Sequence, residues 1–175
     1  MTQKRAVLEA EYLEFAAARS GELYRSALLL TGGDGYLAED LVQETLGRMY
    51  VLWRRSRWAS GGRRIENPAA YAHTVLVRMF LMHRRRRSSG ERPDGELPEL
   101  PVQPADPELR LALLDAMGRL SVRDRAVLVL RFWEDRSVEE TAQVLRCSGG
   151  AVRTQTSRAL DRLRRVLGES LTETH

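Results

Sequence analysis

The sequence predicts an all-α protein: two small helical domains joined by an extended, acidic, proline-rich linker, the second domain a helix-turn-helix. Three observations predict it. Apolar residues recur at the 3.6-residue period of a helix on both sides of the linker. Five of the six prolines fall within residues 88–108. The C-terminal third carries helix-capping patterns separated by a short turn. The boundaries that follow are residues 1–87 for the first domain, 88–107 for the linker and 108–175 for the second domain.

The first helix spans roughly residues 8–30 and brings Phe15, Leu23, Tyr24, Ala27 and Leu28 to one side. TGGDGY, residues 31–36, lacks the lysine and hydroxyl of a phosphate loop and follows no strand, so it reads as an interhelical turn. Beyond it Leu37, Leu41, Val42, Thr45, Leu46, Met49, Tyr50 and Trp53 keep helical period, with Asp40, Gln43, Glu44, Gly47 and Arg48 opposite. A further helix starts at Asn67-Pro68, where proline suits the first turn. It should bury Tyr71, Ala72, Val75, Leu76, Met79 and Phe80 before ending in the basic run Arg84 to Arg87. Proline removes backbone donors and fixes φ, so residues 88–108 cannot form a helix or a central strand. At ~3.1 Å per residue such a segment could reach roughly 60 Å.

In the second domain Ser121 with Asp124 resembles a capping box, and Ser137 with Glu140 fits that pattern fully. Val138, Thr141, Ala142 and Leu145 give a short helix one buried face. Arg146 to Ser148 make a turn, and Ser148 is placed to cap the helix after it. That last helix buries Val152, Thr156, Ala159, Leu160, Leu163, Val166 and Leu167.

Composition narrows the function. No apolar run is long enough to span a bilayer, and no signal segment follows Met1, so a cytoplasmic protein without membrane contact is expected. The single cysteine, Cys147, excludes an internal disulfide framework and a cysteine metal cluster. The net charge of +4 conceals segregation: residues 48–92 hold twelve basic and two acidic side chains, whereas residues 1–47 hold four and eight. A block of that sign is the electrostatic footprint of a polyanion partner. His73, His83 and His175 have no accompanying nucleophile or carboxylate cluster, so neither catalysis nor a metal or other cofactor is expected.

The last helix has a polar front. Arg153, Thr154, Ser157 and Arg158 share the face opposite the apolar stripe, with Gln155 beside them. In a helix-turn-helix the second helix enters the major groove, where arginine can bond guanine bidentately and shorter polar side chains add donors and acceptors. Ser148, Gly149 and Gly150 let the helix end approach a phosphate. In the first domain Arg54, Arg55, Arg57, Arg63 and Arg64 lie before the third helix, and Trp53, Trp58 and Tyr71 stand among them. Basic residues with aromatics suit a melted strand as well as duplex phosphates, although Trp53 and Tyr71 also fit the core stripe.

The order AEDLVQETLGRMYVLW, NPAAYAHTVLVRMFLMHRRRR, an acidic proline-rich linker, then LSVRDRAVLVLRFWEDRSVEETAQVLRCSGGAVRTQTSRALDRLRRVL resembles an extracytoplasmic-function (ECF) RNA polymerase sigma factor of the short actinobacterial type. The likeness covers roughly residues 8–168. It implies that Glu39, Asp40, Gln43, Glu44 and Arg48 dock on the clamp helices of the largest polymerase subunit, and that the second domain meets the flap of the second-largest. It implies that Arg63, Arg64, Asn67, Tyr71, Arg78, Arg84, Arg85, Arg86 and Arg87 face a single-stranded −10 element. Ser148, Gly150, Arg153, Thr154, Gln155, Ser157 and Arg158 would then face a duplex −35 element. An anti-sigma factor is a further partner of this family. The chain departs from the family pattern at Arg78 and Met82, where asparagine and aspartate are common, and at Ala151 and Gln155. A stand-alone helix-turn-helix regulator is the alternative. It accounts for the C-terminal half and leaves the basic block and acidic linker unexplained.

Overall fold

The computed structural model describes residues 2–58, 65–86 and 106–173. Among these residues it contains seven α-helices and one π-helical turn. Helices α1 (Thr2–Thr31), α2 (Gly35–Trp58) and α3 (Pro68–Arg86) come first. Helices α4 (Pro107–Arg119) and α5 (Val122–Leu128), the π turn Val129–Trp133, α6 (Val138–Leu145) and α7 (Gly149–Glu173) follow.

The α1–α2 hairpin is made by its turn chemistry. Gly32 and Gly33 take φ of 65° and 92°, a left-handed path open to glycine at little cost. The Gly33 amide donates to Leu28 O at 2.8 Å, closing α1, and Asp34 Oδ1 accepts from the Leu37 amide at 3.1 Å, opening α2. Leu23, Leu30, Leu41, Met49, Leu76, Val77 and Phe80 are fully buried between the three helices. Each such side chain contributes roughly 1.5–3 kcal/mol by leaving water. Tyr12, Phe15, Tyr50 and Trp53 close the other end of the hairpin, with ring centroids 5.0 Å apart for Tyr12–Tyr50 and 5.2 Å for Phe15–Trp53.

One core expectation fails. Tyr71 is 37% exposed, and Val77, outside the expected stripe, is fully buried instead. The face of α3 turned toward the second group of helices adds a second apolar stripe, and this rotates Tyr71 to its edge.

The second group shows the expected punctuation. Ser137 and Glu140 form the full capping box, with bonds of 2.8 and 3.0 Å. Ser121 accepts from the Asp124 amide at 3.1 Å, but the Asp124 carboxylate turns to α7 rather than back to its cap. Helix α4 was not separately foreseen from the sequence. Its start, Asp106 capping the Glu108 amide at 3.0 Å with Pro107 in the first turn, is a helix signal that lay inside the proline-rich stretch.

The two groups of helices pack together. The Arg125 guanidinium, its residue only 4% exposed, donates to Leu30 O at 3.0 Å and lies 5.6 Å from the Phe80 ring centroid. Arg136 donates to Ala70 O at 2.7 Å and Thr74 Oγ1 at 3.0 Å. His73 is half-buried at the seam and pairs with Glu134.

At Gly32 a Cβ would stand 2.5 Å from Gly118 Cα across this seam, on a backbone of positive φ. Gly32→Ala should therefore cost roughly 1–3 kcal/mol in urea unfolding and raise the radius of gyration in small-angle scattering. Gly47→Ala, in the interior of α2 with open space around it, should instead stabilise by about 0.5–1 kcal/mol. Equal scattering curves for Gly32→Ala and the parent chain would show that this contact does not hold the seam.

Candidate nucleic-acid interface

Helix α7 is set by what precedes it. Arg146 takes φ of 54°, ending α6 in a left-handed residue, and the Cys147 amide returns to Ala142 O at 3.1 Å. Ser148 Oγ then accepts from the Ala151 amide at 3.1 Å, starting α7 three residues after α6 ends. The turn is short enough to hold the two helices at one angle.

Burial separates the two sides of α7. Val152 and Ala159 are fully buried, and Leu160, Leu163 and Val166 pack against the same core. Arg153, Thr154, Ser157 and Arg158 are all exposed. Arg153 has only a 4.0 Å approach to Glu139, both side chains well exposed, which is worth little in water. The front is a row of hydrogen-bonding groups with almost no commitments inside the protein.

Gln155 differs from that row. It is half-buried, and its Nε2 donates to Asp124 Oδ1. Asp124 is completely buried and takes a second bond of 2.7 Å from Arg162 Nη1. One carboxylate on α5 thus grips α7 at two points two turns apart. This sets the rotation of α7 about its axis, and so the direction in which Arg153 and Arg158 point. Sequence reasoning missed Asp124 because it counted the residue as a cap; the signal available was an acid at the position that faces Gln155 and Arg162 once the helices pack.

The −10 set is divided. Arg63, Arg64 and Arg87 lie outside the described residues. Arg84, Arg85 and Arg86 belong to the last turn of α3. Asn67 caps α3, its Oδ1 accepting from the Ala70 amide at 3.1 Å, and Tyr71 stands exposed one turn on. Arg78 is directed elsewhere: Nη2 reaches Gln143 O at 3.3 Å and Nε lies 3.4 Å from Val144 O, at the C-terminal end of α6. A cation there meets the negative end of the helix. In the packed arrangement Arg78 serves the seam.

The polar face of α2 is intact. Glu39, Asp40, Gln43 and Arg48 are exposed and Glu44 is half-buried, with Glu44 and Arg48 3.6 Å apart as an i,i+4 pair. Burial, and then the nearby Glu39 carboxylate, push the Tyr24 phenol up, while Arg110 pulls it down. Among the described residues no helix is long and apolar enough to cross a membrane, and no group of three or more His, Cys, Asp or Glu could hold a metal ion.

Residues 17–90 match the family described as Sigma-70 region 2, and residues 116–165 match Sigma-70, region 4. The chain is 36% identical over 159 residues to the RNA polymerase sigma-E factor of Streptomyces coelicolor, spanning 90% of this chain and 86% of that protein. It is 33% identical over 174 residues to the ECF RNA polymerase sigma factor SigL of Mycobacterium tuberculosis, spanning 94% and 90%. Its fold is similar to that of the sigma factor RpoE from Bartonella quintana, solved in complex with the anti-sigma factor NepR. The TM-score is 0.68 at 23% identity, over 90% of this chain and 97% of that one. Two sigma-70 regions in order, with relatives alike over nine-tenths of the chain, exclude the stand-alone regulator: the chain belongs to the ECF group of sigma-70 factors, which direct RNA polymerase to promoters.

Proposed function

We propose the following division of labour for this sigma factor. The front of α7 meets base edges of the −35 duplex through Arg153, Thr154, Ser157 and Arg158. The segment from Asn67 to Arg87, with Arg63 and Arg64, engages the melted −10 strand. The α2 face Glu39, Asp40, Gln43, Glu44 and Arg48 docks on the clamp helices of the largest polymerase subunit, and the second group of helices meets the flap of the second-largest. An anti-sigma factor is the partner that would hold the protein away from polymerase. The observation that carries the promoter reading is the two-sidedness of α7, where a clamped, buried back supports a bare arginine-rich front.

Geometry adds a requirement. Elements at −35 and −10 lie roughly 25 base pairs apart, which at ~3.4 Å per base pair is about 85 Å of duplex. A compact chain of this length is only about 40 Å across. The packed arrangement must therefore open before both elements are engaged, and the linker is long enough to permit it. Opening frees Arg78 from the α6 carbonyls for the −10 strand.

Two outcomes test this division. On promoters randomised at −35, Arg153→Ala and Arg158→Ala should each cost about 1–3 kcal/mol and relax preference at particular positions. Gln155→Ala should lower stability without changing the preferred bases, because its amide is committed to Asp124 and the Arg162 bond to the same carboxylate still sets the rotation of α7. Unchanged preference in both arginine variants would remove α7 as the reading head.

The second outcome concerns polymerase. Asp40 lies exposed and Glu44 half-buried on the polar face of α2, so Asp40→Lys with Glu44→Lys should leave circular dichroism unchanged and abolish capture of core polymerase. Capture at parental levels by the double variant would defeat the docking assignment.

A further inference from the structure

Between the two groups of helices lies a cavity of about 670 Å³, partly open to solvent. Leu28 and Leu29 of α1, Leu109, Leu113 and Leu114 of α4, and Trp133 of the π turn form much of its wall. Its volume lies within the range of small-molecule sites, roughly 300–1,000 Å³, and such sites favour domain interfaces.

The charged groups around it fall into two sets. Glu134 is paired with His73 and approached by Arg136 Nε at 4.0 Å, and Arg136 is further held by Thr74 and Ala70, so these charges answer one another. Glu22 lies at the rim, bonded at 3.3 Å to Arg19. Arg25 of α1 and Arg110 of α4 also line the cavity, and both are half-buried. Neither side chain makes a hydrogen bond or ion pair among the described residues. Among the described residues these two guanidinium groups answer no carboxylate, so the cavity is apolar over most of its surface with cationic groups contributed by α1 and α4.

The geometry points to a binding site for a small amphipathic anion. Its apolar body lies against Leu28, Leu29, Leu113 and Trp133, and a single carboxylate or phosphate is held by Arg25 and Arg110. A guanidinium fork suits either head group, so the two share one chemistry. The walls come from both groups of helices, and the site is complete only while they are packed. A bound anion therefore favours the packed arrangement and opposes the opening inferred above, a consequence that rests on the proposed division of labour. Binding itself does not rest on it.

Calorimetric titration of the full chain with decanoate and decyl phosphate tests the site and distinguishes the two heads. At least one should bind with a Kd on the order of micromolar, and decyltrimethylammonium and acetate should bind at least about tenfold more weakly. Arg25→Gln with Arg110→Gln, which removes no hydrogen bond or ion pair among the described residues, should lose about tenfold or more in affinity with circular dichroism unchanged. Equal binding of the cation, undiminished binding by the double variant, or no binding below the concentration at which decanoate aggregates would overturn the site. Binding of an acidic amphipathic peptide but of neither decyl anion would overturn it also, since the cavity would then be a groove for protein. Decanoate should further reduce initiation by the parent chain and spare the double variant. Binding without such inhibition would overturn the coupling to opening and leave the site standing.

Discussion

Two adjacent charged side chains on the first turns of α5 hold the rest of the molecule in place. Asp124 and Arg125 are both buried, and they point to opposite neighbours. Asp124 takes Gln155 and Arg162 from α7, and Arg125 reaches Leu30 O at the end of α1, beside Phe80. A buried charge without partners costs several kcal/mol, so each residue dictates what must stand opposite it. Asp124 demands a donor-bearing back on the reading helix. Arg125 demands an open carbonyl, which the last turn of a helix supplies. One short helix thus couples the orientation of α7 to the seam between the two groups.

The composition of that seam explains how it can both form and part. Its polar contacts include arginines on backbone carbonyls, Arg125 on Leu30, Arg136 on Ala70, and Arg78 on Gln143 and Val144, beside the Arg136–Thr74 bond and the His73–Glu134 pair. Water can replace such partners at modest net cost, on the order of 1–3 kcal/mol for a bond to a charged donor. Leucine-on-leucine burial, by contrast, has no substitute in water. The buried apolar side chains of the two groups run together as one cluster, from Leu41 and Phe80 in the first to Leu130 and Val152 in the second. Separation would therefore free those arginines for other partners and at the same time expose the apolar side chains buried at the seam.

Much of this was legible in the sequence wherever the deciding forces were local. The hairpin turn at Gly32–Gly33, the Ser137–Glu140 box, the three-residue turn and the Ser148 cap depend on neighbours within a few residues, and each appears where the pattern puts it. The exposed row Arg153, Thr154, Ser157 and Arg158 follows from the period of one helix. What escaped depends on partners far along the chain. Tyr71 and Val77 exchange roles because α3 faces two neighbours rather than one. Asp124 looks like half of a capping box until α7, thirty-one residues on, offers it Gln155. Helix α4 was hidden by prolines that elsewhere forbid helix but at its first turn favour it.

Arg78 brings these threads together. Its long cationic side chain spans the gap to α6 and meets the negative end of that helix. The same reach would serve a phosphate once the groups separate, and a guanidinium cannot do both at once. A short polar side chain at position 78 could not bridge to α6 in this way. Arg78 therefore ties the packed form to a single side chain long enough to reach from α3 to the end of α6.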